Sequence, residues 1–260
     1  MLNLLKTTIT YRELLINLTL REIKARYKQS ILGYFWVILN PFFQMIVMAF
    51  VFSTILRLPL IGVPYPIFLY IGLLPWTLFS NSISSSINSL VDSSSLIKKI
   101  YFPREVLPLA TTLAKIVDFF LASTILILFM VFFHLEVNIM ILWFIPIFLI
   151  QLIFTFGLSL ILSAVNLFYR DIQYLVNLIL LLWFYLTPVI YPVELFPEKY
   201  RFIFKLNPIA VLVNAYRQTI LGGGMPNLNS LSVALLLSII VLAIGYTIFK
   251  KMEGVFADVV

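Results

Sequence analysis

Few side chains in this sequence could carry chemistry, and their types and spacing limit what that chemistry is. His134 is the single histidine and there is no cysteine. An imidazole pair for zinc or a proton relay, a thiolate site, a disulfide and a cysteine nucleophile are therefore excluded. Lys115 and Asp118 stand three residues apart in otherwise uncharged surroundings. That spacing places both on one face of a helix and allows a mutual ion pair. Charges at such depth can also serve translocation, but the structural pair is the favoured reading. Arg170 and Asp171 are adjacent, and pairing at a helix end accounts for them. Gly222, Gly223 and Gly224 invite comparison with a phosphate loop. No Lys and Ser/Thr follow them and no strand precedes them, so they read as a turn. The chain carries no GxxxxGK[ST], so nucleotide chemistry has to come from elsewhere.

These residues sit in a chain of 260 residues that is 62% apolar and only 11% charged, with mean hydropathy +1.06. A soluble domain carries ~25% charged residues, and 18 basic plus 11 acidic side chains cannot cover a 30.0 kDa particle. A soluble globule is excluded, and an all-α polytopic membrane protein, a single domain over 1–260, is expected. A charge at mid-bilayer costs ~2.5 to 3.5 kcal/mol and a crossing helix needs about 20 apolar residues, so charge-free runs mark spans. Six occur, at 29–56, 58–91, 119–135, 137–169, 172–193 and 218–249. The third extends back to Val106 as one long helix that takes in Lys115 and Asp118.

An even number of spans places both termini on one side, and the basic residues choose it. Lys6, Arg12, Arg21, Lys24, Arg26, Lys28, Lys98, Lys99, Arg104, Arg170, Lys250 and Lys251 fall on one face, against Arg57, Lys199, Arg201, Lys205 and Arg217 on the other. Both termini are predicted cytoplasmic. The net charge of +7 then reflects topology and attraction to anionic membrane lipids, with no role for nucleic acid. No cleavable signal peptide is expected, and no repeat between the two halves supports an inverted-repeat transporter.

Three segments are not spans. Residues 11–28 are compatible with an amphipathic interfacial helix: Ile16, Leu20, Ile23 and Tyr27 form one apolar stripe beside Asn17, Arg21, Lys24 and Lys28. Leu14, Leu18 and Ala25 form a second stripe that needs a cover of its own. The loop 92–105, DSSSLIKKIYFPRE, mixes basic, apolar and aromatic residues. A short helix over Ser95 to Tyr101, ended by Pro103, would present Ile97, Ile100 and Tyr101 for docking, unless the loop simply lies on the membrane with snorkelling lysines. The region 193–229 holds an apolar piece, Pro208 to Leu221, too short to span and too apolar to float, so short re-entrant or interfacial helices are expected between spans five and six.

Aromatic residues are abundant, with 24 Phe, 13 Tyr and 4 Trp. Interfacial belts and lipid-facing packing take most of them. Tyr34, Trp36 and Phe43 in the first run, with Asn40 and Gln44 as polar companions, and Trp183 and Tyr185 in the fifth, beside Thr187, are the candidates to line a conduit. Ring faces there would let a long polymer slide without trapping bonds.

Five phrases, LGYFWVILNPFFQM at 32–45, KKIYFPREVLP at 98–108, NLFYRDI at 166–172, TPVIYP at 187–192 and NPIAVLVNAYRQTI at 207–220, occur in register over nearly the whole chain. Together they resemble the membrane permease subunit of type-2 ABC exporters of bacterial polysaccharide, the class that moves O-antigen, capsule or teichoic acid. The resemblance implies a homodimer in the bacterial inner membrane with two cytosolic ABC ATPase subunits, which bind the ATP and magnesium while this chain binds no cofactor and is not itself an enzyme. The substrate implied is a polyprenyl-diphosphate-linked glycan; a drug or small lipid is the alternative cargo on the same architecture. Leu96, Ile97, Lys98, Lys99, Ile100, Tyr101 and Arg104 would then couple to the ATPase, with the N-terminal helix also touching it through its second stripe. Spans one and five would line the channel, Glu194, Phe196, Tyr200 and Tyr216 would belong to the outer gate, and Arg170 could contact the lipid diphosphate.

Overall fold

The computed structural model describes residues 7–27, 32–57, 63–135, 138–222 and 224–259, and every regular element among them is helical. In chain order the principal ones are α1 (Arg12–Tyr27), α2 (Phe35–Ala49, prolonged by a π turn Phe50–Ile55), α3 (Tyr65–Ser86), α4 (Ser94–Lys99), α5 (Val106–Phe132), α6 (Phe144–Phe168, entered through a 3-10 turn Ile139–Trp143), α7 (Ile172–Leu186), α8 (Pro208–Ile220), α9 (Leu228–Glu253) and α10 (Phe256–Val259), with short helical turns at Ser89–Asp92, Val193–Leu195, Glu198–Tyr200 and Phe202–Leu206. Lys6 and Lys28 lie outside the described residues, as do the side chains of Arg26, Tyr27 and Tyr200.

Among the described residues five helices are long and apolar enough to cross a membrane: Phe35–Ile55, Tyr65–Ser86, Val106–Phe132, Ile139–Phe168 and Leu228–Glu253. The remaining expected span, the fifth at 172–193, is cut short. Its helix stops after 15 residues, about 22 Å at 1.5 Å per residue against a ~30 Å hydrocarbon core. Pro188 supplies the reason: proline pushes the preceding residue out of the helical region, and Thr187 is extended at φ −101°, ψ 134°. The expectation that 106–135 forms one helix through Lys115 and Asp118 agrees with the unbroken α5.

The centre of the bundle is α3, buried along most of its length against α2, α5, α6 and α8. The closest helix pair is α6 with α9. A Cβ on Gly157 would come within 2.6 Å of the Leu242 backbone nitrogen, and one on Gly245 would collide with the Gly157 carbonyl. Two glycines facing each other thus let the two backbones touch, as small residues do in membrane helix pairs.

The second stripe of α1 finds its cover inside the chain. Leu18 is buried with Leu107, Ala110 and Leu90, and Leu14 and Leu15 pack on the same cluster, so these leucines are covered from within the chain, while Ala25 of the same stripe stays exposed. The first stripe remains open, with Ile16 and Leu20 exposed. Contacts also place α1, α4 and α10 together at one end of the bundle: Arg21 Nη2 donates to Ser93 Oγ (3.4 Å), Arg104 N donates to Glu253 Oε1 (2.8 Å), and the Phe256 ring meets Phe168 (6.2 Å). This is the α4 end; the other end is capped by α8 and the turns before it.

Candidate functional site

Between α2, α3 and α5, in the half nearer α4, lies a groove of about 390 Å³. From α2 it is lined by Trp36, Asn40, Pro41 and Gln44, from α3 by Trp76, Thr77, Ser80 and Asn81, and from α5 by Lys115 and Asp118. Asn40 and Gln44 are one helical turn apart and so share a face. Lys115 Nζ stands 3.5 Å from Asp118 Oδ2 with both side chains mostly buried, the ion pair that their spacing predicts. Trp76, buried with its ring 5.4 Å from that of Phe184 and tilted 57° to it, backs the groove, while Trp36 is half exposed beside it. Amide, hydroxyl and charged groups next to an indole suit a hydroxyl-rich ligand. No group of three or more His, Asp or Glu is gathered for a metal among the described residues.

The structure thus brings Trp36, Asn40 and Gln44 together with a pair that sequence reasoning kept apart from them. Tyr34 and Phe43 are exposed on α2 outside this groove, and Tyr185 is exposed on α7. Trp183 turns inward instead: its ring lies 5.2 Å from Phe79 and 6.2 Å from Phe154. It packs α7 onto α3 and α6 and leaves only part of its surface for a conduit.

At the α4 end the loop helix forms, starting one residue earlier than expected and ending two earlier, at Lys99, because Ile100 is already extended ahead of Pro103, and its faces divide. Lys98, Lys99, Ile100 and Tyr101 are exposed, Tyr101 by 87%. Ile97 is not presented: it is 3% exposed, packed with Phe102 and Val106, and Leu96 packs partly on the same cluster. A six-residue helix needs an anchor, and Ile97 serves as one because the chain must return into α5 through Phe102 and Pro103. Arg104 turns back, its Nη1 donating to the Glu253 carbonyl (3.3 Å). Arg170 is exposed between α6 and α7. Beside it, Asn166 holds that junction, donating through Nδ2 to Ile87 O and Asn88 Oδ1 (3.0 Å each) and accepting from Gln173 N (3.1 Å).

The opposite end is built around Arg217, which sequence reasoning counted only as an outer-side charge. It is 6% exposed. Its Nε donates to Phe68 O (3.3 Å), Nη1 to Pro188 O and Nη2 to Val189 O, and the guanidinium lies 3.6 Å from the Phe68 ring centroid. One side chain of α8 therefore holds the non-helical stretch after α7 against α3. Asn207 starts α8 as a cap, its Oδ1 accepting from Ile209 N and Ala210 N, and its Nδ2 donating to Thr187 Oγ1 (3.1 Å). Pro208 follows at the first helical position, where its missing N–H costs nothing.

Tyr216, expected in the outer gate, is buried: its hydroxyl donates to Gln151 Oε1 (3.1 Å), whose Nε2 donates to Pro75 O (2.8 Å). A phenol needs a partner when buried, and the amphipathic pattern of α8 turns this one toward α6 rather than the mouth. Phe196 sits between the rings of Tyr191 and Phe204 (5.1 and 4.9 Å), and Glu194 is exposed with its carbonyl accepting from Arg201 Nη2. The Tyr200 side chain lies outside the described residues. The signal for Arg217 was its isolation in an apolar helix of 13 residues; for Gln151 and Asn166 it was a lone amide in an apolar span.

The ABC-2 type transporter family matches residues 13–221. The chain belongs to that family. It is 35% identical over 248 residues, 95% of each chain, to the O-antigen export system permease protein RfbA of Klebsiella pneumoniae. It is 32% identical over 261 residues, 99% of each chain, to the protein of that name from Myxococcus xanthus. It is 24% identical over 246 residues to the polysialic acid transport protein KpsM of Escherichia coli, covering 91% of this chain and 92% of the relative. The matched span runs from α1 to the end of α8, and so takes in α4, the groove and the Arg217 staple.

Proposed function

We propose that this multi-pass membrane protein is the channel subunit of an ATP-driven exporter that moves lipid-linked polysaccharide of the O-antigen class outward across the bacterial inner membrane. The carrying observation is the groove in which Trp36, Asn40 and Gln44 meet Ser80, Asn81 and the Lys115–Asp118 pair. Its polar, uncharged-on-balance lining matches a chain of neutral or weakly charged sugars better than a proton- or ion-coupled cargo, and the relatives named for O-antigen export cover 95–99% of this chain.

In this reading the chain works as a homodimer with two ABC ATPase subunits, which hold the ATP and magnesium. The exposed surfaces of α4, with Lys98, Lys99, Ile100, Tyr101 and neighbouring Arg170, face the cytosol, as do both termini. A second copy covers the open faces of α2 and α7, on which Phe43, Tyr174 and Tyr185 are exposed. α8 and the turns before it dip from the outer side as a re-entrant cap. Arg170 is placed to meet the lipid diphosphate at the inner surface.

The test is transport in proteoliposomes containing this chain and its ATPase, with polyprenyl-diphosphate-linked O-polysaccharide inside or outside. Trp36→Ala with Asn40→Ala is expected to lower glycan transport by tenfold or more, since one stacked ring and one amide each contribute about 1 kcal/mol. Unchanged glycan flux in that variant would sink the assignment of the groove. A drug or small lipid remains the second reading, because an apolar groove of about 840 Å³ opens between α2 and α5 around Phe42, Ala49, Phe129 and Phe133. Apolar dyes that stimulate the ATPase while glycans do not would favour it.

A further inference from the structure

We propose that Glu105, Lys250 and Glu253 clamp the end of α9 to the segment that joins α4 to α5, so that force applied to α4 reaches the α6–α9 pair directly. The inference rests on the reading of α4 as the ATPase docking segment.

The geometry is specific. Lys250 Nζ lies 2.8 Å from both Glu105 Oε2 and Glu253 Oε2. The other oxygen of Glu253 accepts from the Arg104 backbone nitrogen at 2.8 Å, and its carbonyl accepts from the Arg104 guanidinium. Glu253 thus touches the α4–α5 junction twice and Lys250 bridges to it once. Glu105 is fully buried, and its Oε1 has no hydrogen-bond partner among the described residues. Among the described residues Lys250 is the cation that pairs with that carboxylate, and a buried carboxylate stripped of its cation is costly.

Apolar contacts run in parallel. α10 turns back under α4 and carries Phe256, fully buried 5.2 Å from Phe249 and 6.2 Å from Phe168, in the cluster that also contains Ile97 and Phe102. From there the stiffest path leads outward, since Gly245 of α9 and Gly157 of α6 leave no gap between the two backbones. α7, by contrast, buries only Val176, Leu180 and Phe184. A displacement of α4 is transmitted to α9 and α6 as one body, while α7 is the more lightly held helix, joined to α3 and α6 chiefly through Trp183 and the Asn166–Gln173 contact. Glu105, Lys250 and Glu253 are positioning residues, since none of them lines the groove.

The experiment measures glycan exported per ATP hydrolysed by the full complex in proteoliposomes, with polyprenyl-diphosphate-linked O-polysaccharide as cargo. Glu105→Gln combined with Lys250→Met removes the charged bridge of the clamp without leaving Glu105 as an unpaired charge. It is expected to lower that ratio at least tenfold while ATP hydrolysis and subunit assembly stay within twofold, and Lys250→Arg is expected to restore the ratio. The chain has no cysteine, so Arg104→Cys with Glu253→Cys can be bridged by a short bis-thiol reagent without background. The bridged protein is expected to export. An unchanged ratio in the double variant overturns the proposal. So does arrest of export on bridging, which would mean that the junction must open, and this arm decides the matter if the double variant fails to assemble. Charge reversal at Lys98 and Lys99 that leaves ATPase assembly intact would instead remove α4 as the docking segment, a separate failure with its own signature.

Discussion

Replacing Arg217 by Met keeps most of the apolar stem and deletes the guanidinium. Three backbone carbonyls, of Phe68, Pro188 and Val189, then lose their charged donor, two of them in a stretch that belongs to no helix. A hydrogen bond from a charged group contributes roughly 1.5–3 kcal/mol, but the buried charge itself carries a desolvation cost, so the net loss is about 3 kcal/mol rather than the sum. At roughly 2–4 °C per kcal/mol for a chain of this size, the melting midpoint should fall by about 6–12 °C. Gly72 provides an internal control, because a Cβ there would stand 2.5 Å from Arg217 Nη2 and 3.1 Å from Val189 O. Gly72→Ala should displace the guanidinium and cost a similar amount alone, yet cost at least ~1 kcal/mol less in the Arg217→Met background, where the space has been vacated. Thermal unfolding in lipid nanodiscs, followed by tryptophan fluorescence, measures all four proteins of the cycle. Additive losses, or an Arg217→Met midpoint within about 2 °C of the unaltered protein, would refute the staple.

Lys115→Met should destabilise the protein more than Lys115→Met with Asp118→Asn, since the single change takes away the cation 3.5 Å from a mostly buried carboxylate; nanodisc melting decides the order. Gly157→Leu should abolish the α6–α9 seam, lowering the yield of folded protein by gel filtration in detergent, because the side chain would have to occupy the Leu242 backbone. Partial burial, and next the Glu22 carboxylate, hold the Asp92 carboxyl above the usual carboxylate range. Its folded state therefore binds the proton more tightly than the unfolded state does, so the carboxylate is a liability at neutral pH. Asp92→Asn should raise the midpoint at pH 7, and the advantage should shrink as pH falls through the raised pKa; a melting series in pH reads the sign.

The spans were legible because charge is expensive in lipid, which leaves its mark on the sequence wherever a helix crosses. That rule located α2, α3, α5, α6 and α9 and put Lys115 beside Asp118. It overran α7, because an uncharged run does not end where a helix ends; Thr187–Pro188 ended it, and their signal lies in backbone geometry. Ile97 and Tyr216 were misplaced for a different reason. Both have the composition of exposed docking or gating residues, and which side of a short helix meets the bundle depends on partners remote in sequence, Phe102 and Val106 for one and Gln151 for the other.

Counting charges by side treats every basic residue as equivalent, and the structure separates them by what neutralises them. Lys98, Lys99 and Arg170 keep their charge at the surface, where it is available to a partner or a phosphate. Lys250 spends its charge on two carboxylates and Arg217 on three carbonyls. These two internally paired cations, Arg217 buried and Lys250 partly so, stand at opposite ends of the bundle. Each fixes a non-helical junction: Arg217 the stretch after α7, Lys250 the turn before α5. Between them the groove holds one balanced ion pair and otherwise neutral polar groups. A conduit that bound its cargo through strong fixed charge would release it slowly, because each extra ionic contact raises the barrier to the next step. Charge that anchors the ends and polarity without net charge along the path is the distribution expected where a long neutral polymer has to keep moving.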